Sequence, residues 1–483
     1  MKRATSLTRR QFLVASSAAL AAAAWRRGAL RPEPPPNLVL IVSDDQAPED
    51  LGCFGNATIG TPAIDKLASE GLRFTRAFTP TAICAPSRSC IHTGLHGTTS
   101  GASGFSPIKP GIPTLSTVLK QAGYRTALIG KMHLAPIEQF QFDFLKPSAE
   151  LSGGRDVDAI QDAARSFVKE SVAAKTPFFL NVNFDDPHYP WPLTREEAEA
   201  DESTWEAEAE AVDPRNRALG DVAGTHPPDK VRLPALLPDV PAIRRELSRY
   251  CDAITRLDRG VGLILRMLER QGVAERTVVV FVSDNGMDFP FHKATLWEGG
   301  IHLPLIARWP GVTPPGATCD GMVSFVDLMP TFLDIAGATP PARQEGRSFR
   351  AALDKPETPL REEVFLTHTR GHQKGAMPTR GLRTQRFKYL RNLWKEGSVL
   401  DTVGMEHASW AAVLAASRGD PELNERVERW LRRPPLELYD LQADPLEKKN
   451  LADDPDHAEV RRQLHDRLKA TMVSIKDGLH RKL

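Results

Sequence analysis

In Ile83-Cys84-Ala85-Pro86-Ser87-Arg88, a cysteine is followed by a proline two residues on and an arginine four residues on. Pro86 suits the first turn of a helix, where its missing N–H costs nothing. Cys84 then stands at the helix N-terminus, where unpaired N–H groups and the macrodipole favour an anion. Arg88 lies four residues on and shares the helical face of Cys84. Such a setting fits a thiolate nucleophile, and it also fits a small buried cysteine beside a helix cap.

A second group of polar residues follows a series of apolar runs. Residues 37–42 lead into Ser43-Asp44-Asp45, and 125–129 into Gly130-Lys131-Met132-His133. Residues 177–184 lead into Asp185-Asp186-Pro187-His188, and 277–282 into Ser283-Asp284-Asn285-Gly286. In open parallel sheets, ligands bind outside the carboxyl ends of the strands, so parallel neighbours would bring these clusters to one edge. Asp44, Asp45, Asp284 and Asn285 offer hard oxygen ligands and no soft ones, which selects Ca²⁺ or Mg²⁺ over zinc. Taken singly, each cluster is also an ordinary helix cap or turn.

The elements behind these clusters alternate strand-like and helix-like patterns, as in an α/β fold with a largely parallel sheet. Helices are expected over 62–70, 115–122, 156–173 and 243–271, and the pattern fades between 194 and 239. After about residue 343 the segments shorten: 388–390 and 436–440 read as strands and 456–475 as a charged amphipathic helix. The expected organisation is a signal peptide at 1–24, a linker at 25–36, a catalytic domain at 37–345 and a smaller α+β unit at 346–483. Thr8-Arg9-Arg10-Gln11-Phe12-Leu13 resembles a twin-arginine export signal, and the apolar run at 13–24 is too short for a helix spanning ~30 Å of bilayer. Export to the periplasm or exterior through the twin-arginine translocase, without stable membrane insertion, is therefore expected.

Composition narrows the partners. The net charge is +1, or −3 once the basic residues Lys2, Arg3, Arg9 and Arg10 are set aside. That argues against nucleic acid, whose phosphates demand a basic excess. An anionic substrate would have to meet a local cluster of positive charge. The five cysteines, Cys53, Cys84, Cys90, Cys251 and Cys319, form no CxxC pair and are odd in number, so no disulfide framework is expected.

Cys-x-Pro-x-Arg within 82–94 resembles the first signature of the formylglycine-dependent sulfatases of the alkaline phosphatase superfamily. Gly123-Tyr124-Arg125-Thr126-Ala127-Leu128-Ile129-Gly130-Lys131-Met132-His133 resembles the second. The resemblance continues from Pro36 nearly to the end, through Asp186-Pro187-His188, Asp284-Asn285-Gly286 and Leu438-Tyr439-Asp440-Leu441. Within the family it is nearest to the heparan N-sulfatases (sulfamidases) and their bacterial relatives. Asp284-Asn285-Gly286-Met287-Asp288-Phe289-Pro290, Asp258-Arg259-Gly260-Val261-Gly262 and Phe140-Gln141-Phe142-Asp143-Phe144 carry that likeness. Three positions depart from the pattern. His92 stands at a usually aliphatic place, where local repacking is expected; Ala135 replaces a common glycine; and Lys293 stands where sulfamidases have arginine.

The resemblance implies an alkaline phosphatase-like fold, a large mostly parallel sheet sandwiched by helices. It implies that a formylglycine-generating enzyme oxidises Cys84 to an aldehyde whose hydrate is the nucleophile, held by Arg88. Asp44, Asp45, Asp284, Asn285 and an oxygen of residue 84 would bind one Ca²⁺. Lys131 and Lys293 would contact sulfate, His188 would be the general acid, and His133 would assist deprotonation of the hydrate. Collapse of the hydrate releases sulfate without a second attack at sulfur, which a sulfated serine would need. The expected substrate is a sulfated glycan such as heparan sulfate, with glucosamine N-sulfate first and a sugar O-sulfate second, as in glycosaminoglycan degradation. A phosphonate monoester or phosphodiester hydrolase, and a non-catalytic glycan-binding derivative, are the alternatives. His368, His372 and Tyr189-Pro190-Trp191 are further candidates for the sugar subsite.

Overall fold

A computed structural model describes residues 35–192, 222–370, 376–395, 398–400, 405 and 407–483. The export signal and His372 lie outside the described residues. Residues 36–483 form one compact unit.

The main sheet holds β1 (Asn37–Ser43), β2 (Leu72–Phe78), β3 (Arg125–Gly130), β4 (Phe144–Pro147), β5 (Phe178–Asn183), β6 (Thr277–Ser283), β7 (His302–Arg308) and β8 (Ala317–Ser324). Their order is β4-β3-β5-β1-β6-β7-β2-β8. From β4 to β6 all neighbours are parallel, and β7 alone runs antiparallel to both β6 and β2. Every residue of β1 is buried. Leu38, Leu40 and Val42 enter one apolar cluster, while Val39 and Ile41 enter another. Because successive side chains point to opposite faces, a continuous apolar run is what a strand covered on both sides requires.

Helices supply both covers. On one face lie α1 (Pro62–Ser69), the C-terminal half of a 30-residue helix over Pro241–Arg270, and the helix Val157–Ala173. On the other lie residues of Leu115–Gln121 and Leu328–Ala336. The expected helices and strands thus form, to within two residues at most ends, and the sandwich is the one anticipated. The smaller sheet is antiparallel, β12-β11-β10-β9, built from Glu363–Arg370 (β9), Ala376–Thr384 (β10), Phe387–Asn392 (β11) and Leu436–Asp440 (β12). The helix Ala458–Ser474 covers one face of it with Leu464, Leu468 and Met472.

The helix Pro241–Arg270 organises much of this frame through polar side chains. Glu246 accepts from the N–H groups of Ala408 and Ser409, and Asp258 from those of Ala63 and Ile64 at the start of α1. Tyr250 donates to the Asp45 carbonyl region at 2.9 Å and contacts Asp50 at 2.6 Å. Arg256 grips Asp186 through two bonds of 2.7 and 2.8 Å, with both side chains buried. Without Arg256 the buried Asp186 keeps, among the described residues, only the 3.6 Å contact with Arg155, so Arg256→Met should cost ~3–5 kcal/mol in urea unfolding. A loss under about 1 kcal/mol would mean that Asp186 finds water or a new partner.

Candidate active site

The carboxyl ends of β3, β5, β1 and β6 lie in consecutive sheet positions, so the four polar clusters converge on one edge. Gly130 makes one of these crossings possible. Its φ is +92°, and a Cβ there would lie 1.8 Å from the Asn183 carbonyl oxygen. Lys131 and His133 follow directly, and Asp45 sits in the left-handed region at φ 64°.

Cys84 is the first residue of α2 (Cys84–Thr93) and is 3% exposed. His133 Nδ1 lies 3.1 Å from its Sγ. Arg88, one turn on, bonds through Nε to Asp284 at 2.8 Å, through Nη2 to Asp44 at 3.2 Å and through Nη1 to the Lys131 carbonyl at 3.4 Å. Lys131 is ion-paired with Asp44. Lys293 Nζ lies 2.6 Å from Asp45 and 3.4 Å from Asp288. Asn285 donates to Asp45 Oδ1 at 2.6 Å. His188 Nε2 stands 3.6 Å from Asp45, while Nδ1 is bonded to the Tyr189 carbonyl. All ten site residues expected from the sequence therefore meet in one place.

Burial and charge set the protonation of these groups. Burial pushes the Cys84 thiol up to about 12; Lys131 and Lys293 oppose this, and Asp44 and Asp284 add to it. Burial also works against the Asp44 carboxylate, but Lys131, His188, Arg88 and Lys293 outweigh it and hold it below the usual range. Asp45 is driven well above that range by burial and by Asp44, Asp288 and Asp284, against Lys293. His188 is held well below the ordinary imidazole value by burial, Lys131 and Lys293.

Two buried oxygens, Asp44 Oδ1 and Asn285 Oδ1, have no hydrogen-bond partner among the described residues. Buried acceptors of this kind are normally satisfied, and here they belong to two of the hard-oxygen residues. Asp44, Asp45 and His188 also bring one ligand atom each within 4.8 Å of one another, two buried aspartates and a half-buried histidine able to hold a metal ion. The residues present therefore fit a divalent cation. Beside them is a cavity of about 300 Å³ lined by Cys84, Phe105, Lys131, His133, Arg155 and Asp185 together with His188, Tyr189 and Lys293.

A family model for sulfatases matches residues 36–338, with a model for the C-terminal region of N-sulphoglucosamine sulphohydrolase matching 287–402. The chain belongs to the sulfatase family. This sulfatase is 30% identical to human N-sulphoglucosamine sulphohydrolase over 467 residues, covering 90% of this chain and 89% of that protein. It is 28% identical to an ulvan-active sulfatase of Formosa agariphila, covering 89% of this chain and 78% of the other. A protein solved in complex with its substrate D-glucosamine-2-N,6-O-disulfate shares the fold, at TM-score 0.69 and 22% identity over 92% of this chain and 98% of that one. So does a phosphonate monoester hydrolase of Agrobacterium radiobacter, at TM-score 0.67 and 20% identity over 92% and 96%.

The remaining sequence candidates separate cleanly. Tyr189 lines the cavity, but Trp191 is buried, stacks on Phe289 with ring centres 5.2 Å apart and donates to the Pro187 carbonyl. His368 is buried outside the cavity lining. His92 is buried against Asn181 of β5 at 3.0 Å, a polar contact in place of an aliphatic one. The five cysteines are all free. Sequence reasoning passed over Asp288, Tyr250, Asp50, Arg155 and Asp185 as site residues. Asp185 opens one of the four strand-end clusters and Asp288 lies two residues beyond another, so both carried a signal.

Proposed function

We propose that this sulfatase removes sulfate from a sulfated sugar, glucosamine N-sulfate first and a sugar O-sulfate second. Residue 84 acts as formylglycine, beside one calcium ion. The cationic cavity around Cys84, walled by Lys131 and Lys293, carries this reading, and the N-sulphoglucosamine sulphohydrolase match over 287–402 supports the choice of sugar. Burial raises the Cys84 thiol, and a raised thiol is a weaker nucleophile at neutral pH, in keeping with the oxidised residue.

Asp44, Asp45, Asp284 and Asn285 would hold the calcium, since the unpartnered Asp44 and Asn285 oxygens favour an all-oxygen shell over one that includes His188. Calcium there would supply Lewis acidity toward a sulfate oxygen. Formylglycine would supply an aldehyde hydrate as nucleophile. Lys131 and Lys293, fixed by Asp44 and Asp45, hold the sulfate and stabilise its developing charge. His133 Nδ1, 3.1 Å from the Sγ that marks the place of the nucleophile, holds or takes its proton. A carbonyl only accepts, so the bond to Tyr189 places a proton on His188 Nδ1 and turns Nε2 toward the site. To protonate a leaving group His188 must carry a second proton on Nε2, a state that an arriving anion and the Asp44 carboxylate both favour.

Residues 1–24 support export by the twin-arginine route, with a formylglycine-generating enzyme acting on Cys84 before export. Among the described residues no helix is long and apolar enough to cross a membrane. The test is sulfate release from glucosamine N-sulfate, glucosamine 6-O-sulfate and an aryl sulfate, using protein made in its own host. A sugar sulfate should exceed the aryl ester in kcat/KM by about tenfold or more. Better turnover of the aryl sulfate, or preference for a monoanionic phosphonate ester, would overturn the reading.

A further inference from the structure

Among the described residues lining the cavity, Asp185 is the only acid. Its position is tightly built. Oδ2 accepts from Ser148 Oγ and packs against Gly154, whose φ is +75° and where a Cβ would come within 1.8 Å of that oxygen. The Asp185 carbonyl accepts from the His188 N–H at 2.9 Å, tying it to the loop that carries His188. Among the described residues the bond from Ser148 is the one hydrogen bond seen on this half-buried carboxylate, and none is seen on Oδ1.

The cations nearby, Lys131 and Arg155, act on this carboxylate through space but make their direct bonds elsewhere. Arg155, beside it in the cavity wall, donates to the His188 carbonyl at 3.0 Å and the Gly153 carbonyl at 3.3 Å, and its Nε lies 3.6 Å from Asp186. Lys131 pairs with Asp44, and Lys293 with Asp45 and Asp288. A substrate that displaces water from this wall must therefore satisfy the open oxygen of Asp185 or bear the cost of leaving it unpaired. A second anionic group would be repelled there. A donor would be welcomed, and a sugar offers two kinds: a ring hydroxyl, or the N–H of a sulfamate, which the bridging oxygen of an O-sulfate lacks.

We propose that Asp185 is a specificity-determining residue, whose Oδ1 accepts a hydrogen bond from a hydroxyl or sulfamate N–H of the sugar. This rests on the sugar sulfatase reading above. The experiment measures kcat/KM of wild type, Asp185→Ala and Asp185→Asn on glucosamine N-sulfate, glucosamine 6-O-sulfate and an aryl sulfate, with melting temperatures alongside. The ratio of sugar to aryl kcat/KM should fall ~10–100-fold in Asp185→Ala and less in Asp185→Asn, which keeps a carbonyl acceptor. A fall confined to the N-sulfate identifies the sulfamate N–H as the donor, and one shared with the 6-O-sulfate identifies a hydroxyl. Equal losses on all three substrates, or an unchanged ratio, overturn the proposal while leaving the parent reading intact. Wild-type protein that releases no sulfate from sugars overturns both. Should Asp185→Ala fail to fold, Ser148→Ala loosens the same carboxylate from outside the cavity lining and should move the ratio in the same direction, by less.

Discussion

Cys84→Ala should lower sulfate release by roughly 10⁴-fold or more while shifting the melting temperature by only a few degrees. The stability half follows from how little the side chain holds. Its polar contact is the 3.1 Å approach of His133, and its apolar neighbours Ile83 and Ala294 form a small cluster of their own. The activity half follows because Lys131, Lys293, His133 and His188 surround residue 84 and none is placed to substitute for it as nucleophile. Cys84→Ser sharpens the test. A serine oxygen can attack sulfate once, but it lacks the second hydroxyl whose collapse would release it. That variant should stop after about one sulfate per chain, retained as a covalent ester visible by mass. Steady turnover by either variant would assign the chemistry to another residue.

Asp284→Ala should have a comparably large effect by a different route. It removes a carboxylate that the metal reading uses and also the 2.8 Å partner of Arg88, with both side chains buried. Arg88 keeps its 3.2 Å contact with the buried Asp44, so what is lost is one charge-assisted bond, and urea unfolding should shift by ~1.5–3 kcal/mol. Wild-type protein should gain ~2.7 kcal/mol when calcium is present at 100 times its Kd, and the variant should gain almost none. Chelation of the wild type should abolish sulfate release, and calcium should restore it where zinc does not, because the donors are hard oxygens. A variant that keeps the calcium-dependent stabilisation would remove Asp284 from the metal shell.

Much of this was legible in the chain. The runs at 37–43 and 277–283 announced strands buried on both faces; that β3, β5, β1 and β6 are neighbours was a condition of the reading, and the sheet order meets it. Because ligand sites form at such strand ends, the residues just after each run were the ones to inspect. What stayed hidden was set by tertiary contacts without periodicity. β2 reads Leu-Arg-Phe-Thr-Arg-Ala-Phe, with polar residues breaking the apolar run, and β7 runs antiparallel within an otherwise parallel core. Tyr250 sits on a long amphipathic helix about 200 residues from Asp45, so no local spacing links the two. Arg155 follows two glycines in a loop and shows no pattern at all. Trp191 shows the reverse problem, since an aromatic near a recognised histidine could have faced the cavity, yet it stacks on Phe289 in the core.

The most direct measurement is peptide mass spectrometry of the segment containing Cys84, from protein made in its own host, with hydrazide trapping of aldehydes. Conversion to formylglycine predicts a loss of about 18 Da relative to cysteine, together with a trapped hydrazone. The hydrated form nearly matches cysteine in mass, so the trapping is what separates them. An unmodified thiol at residue 84 throughout, in protein that still releases sulfate, would contradict the account.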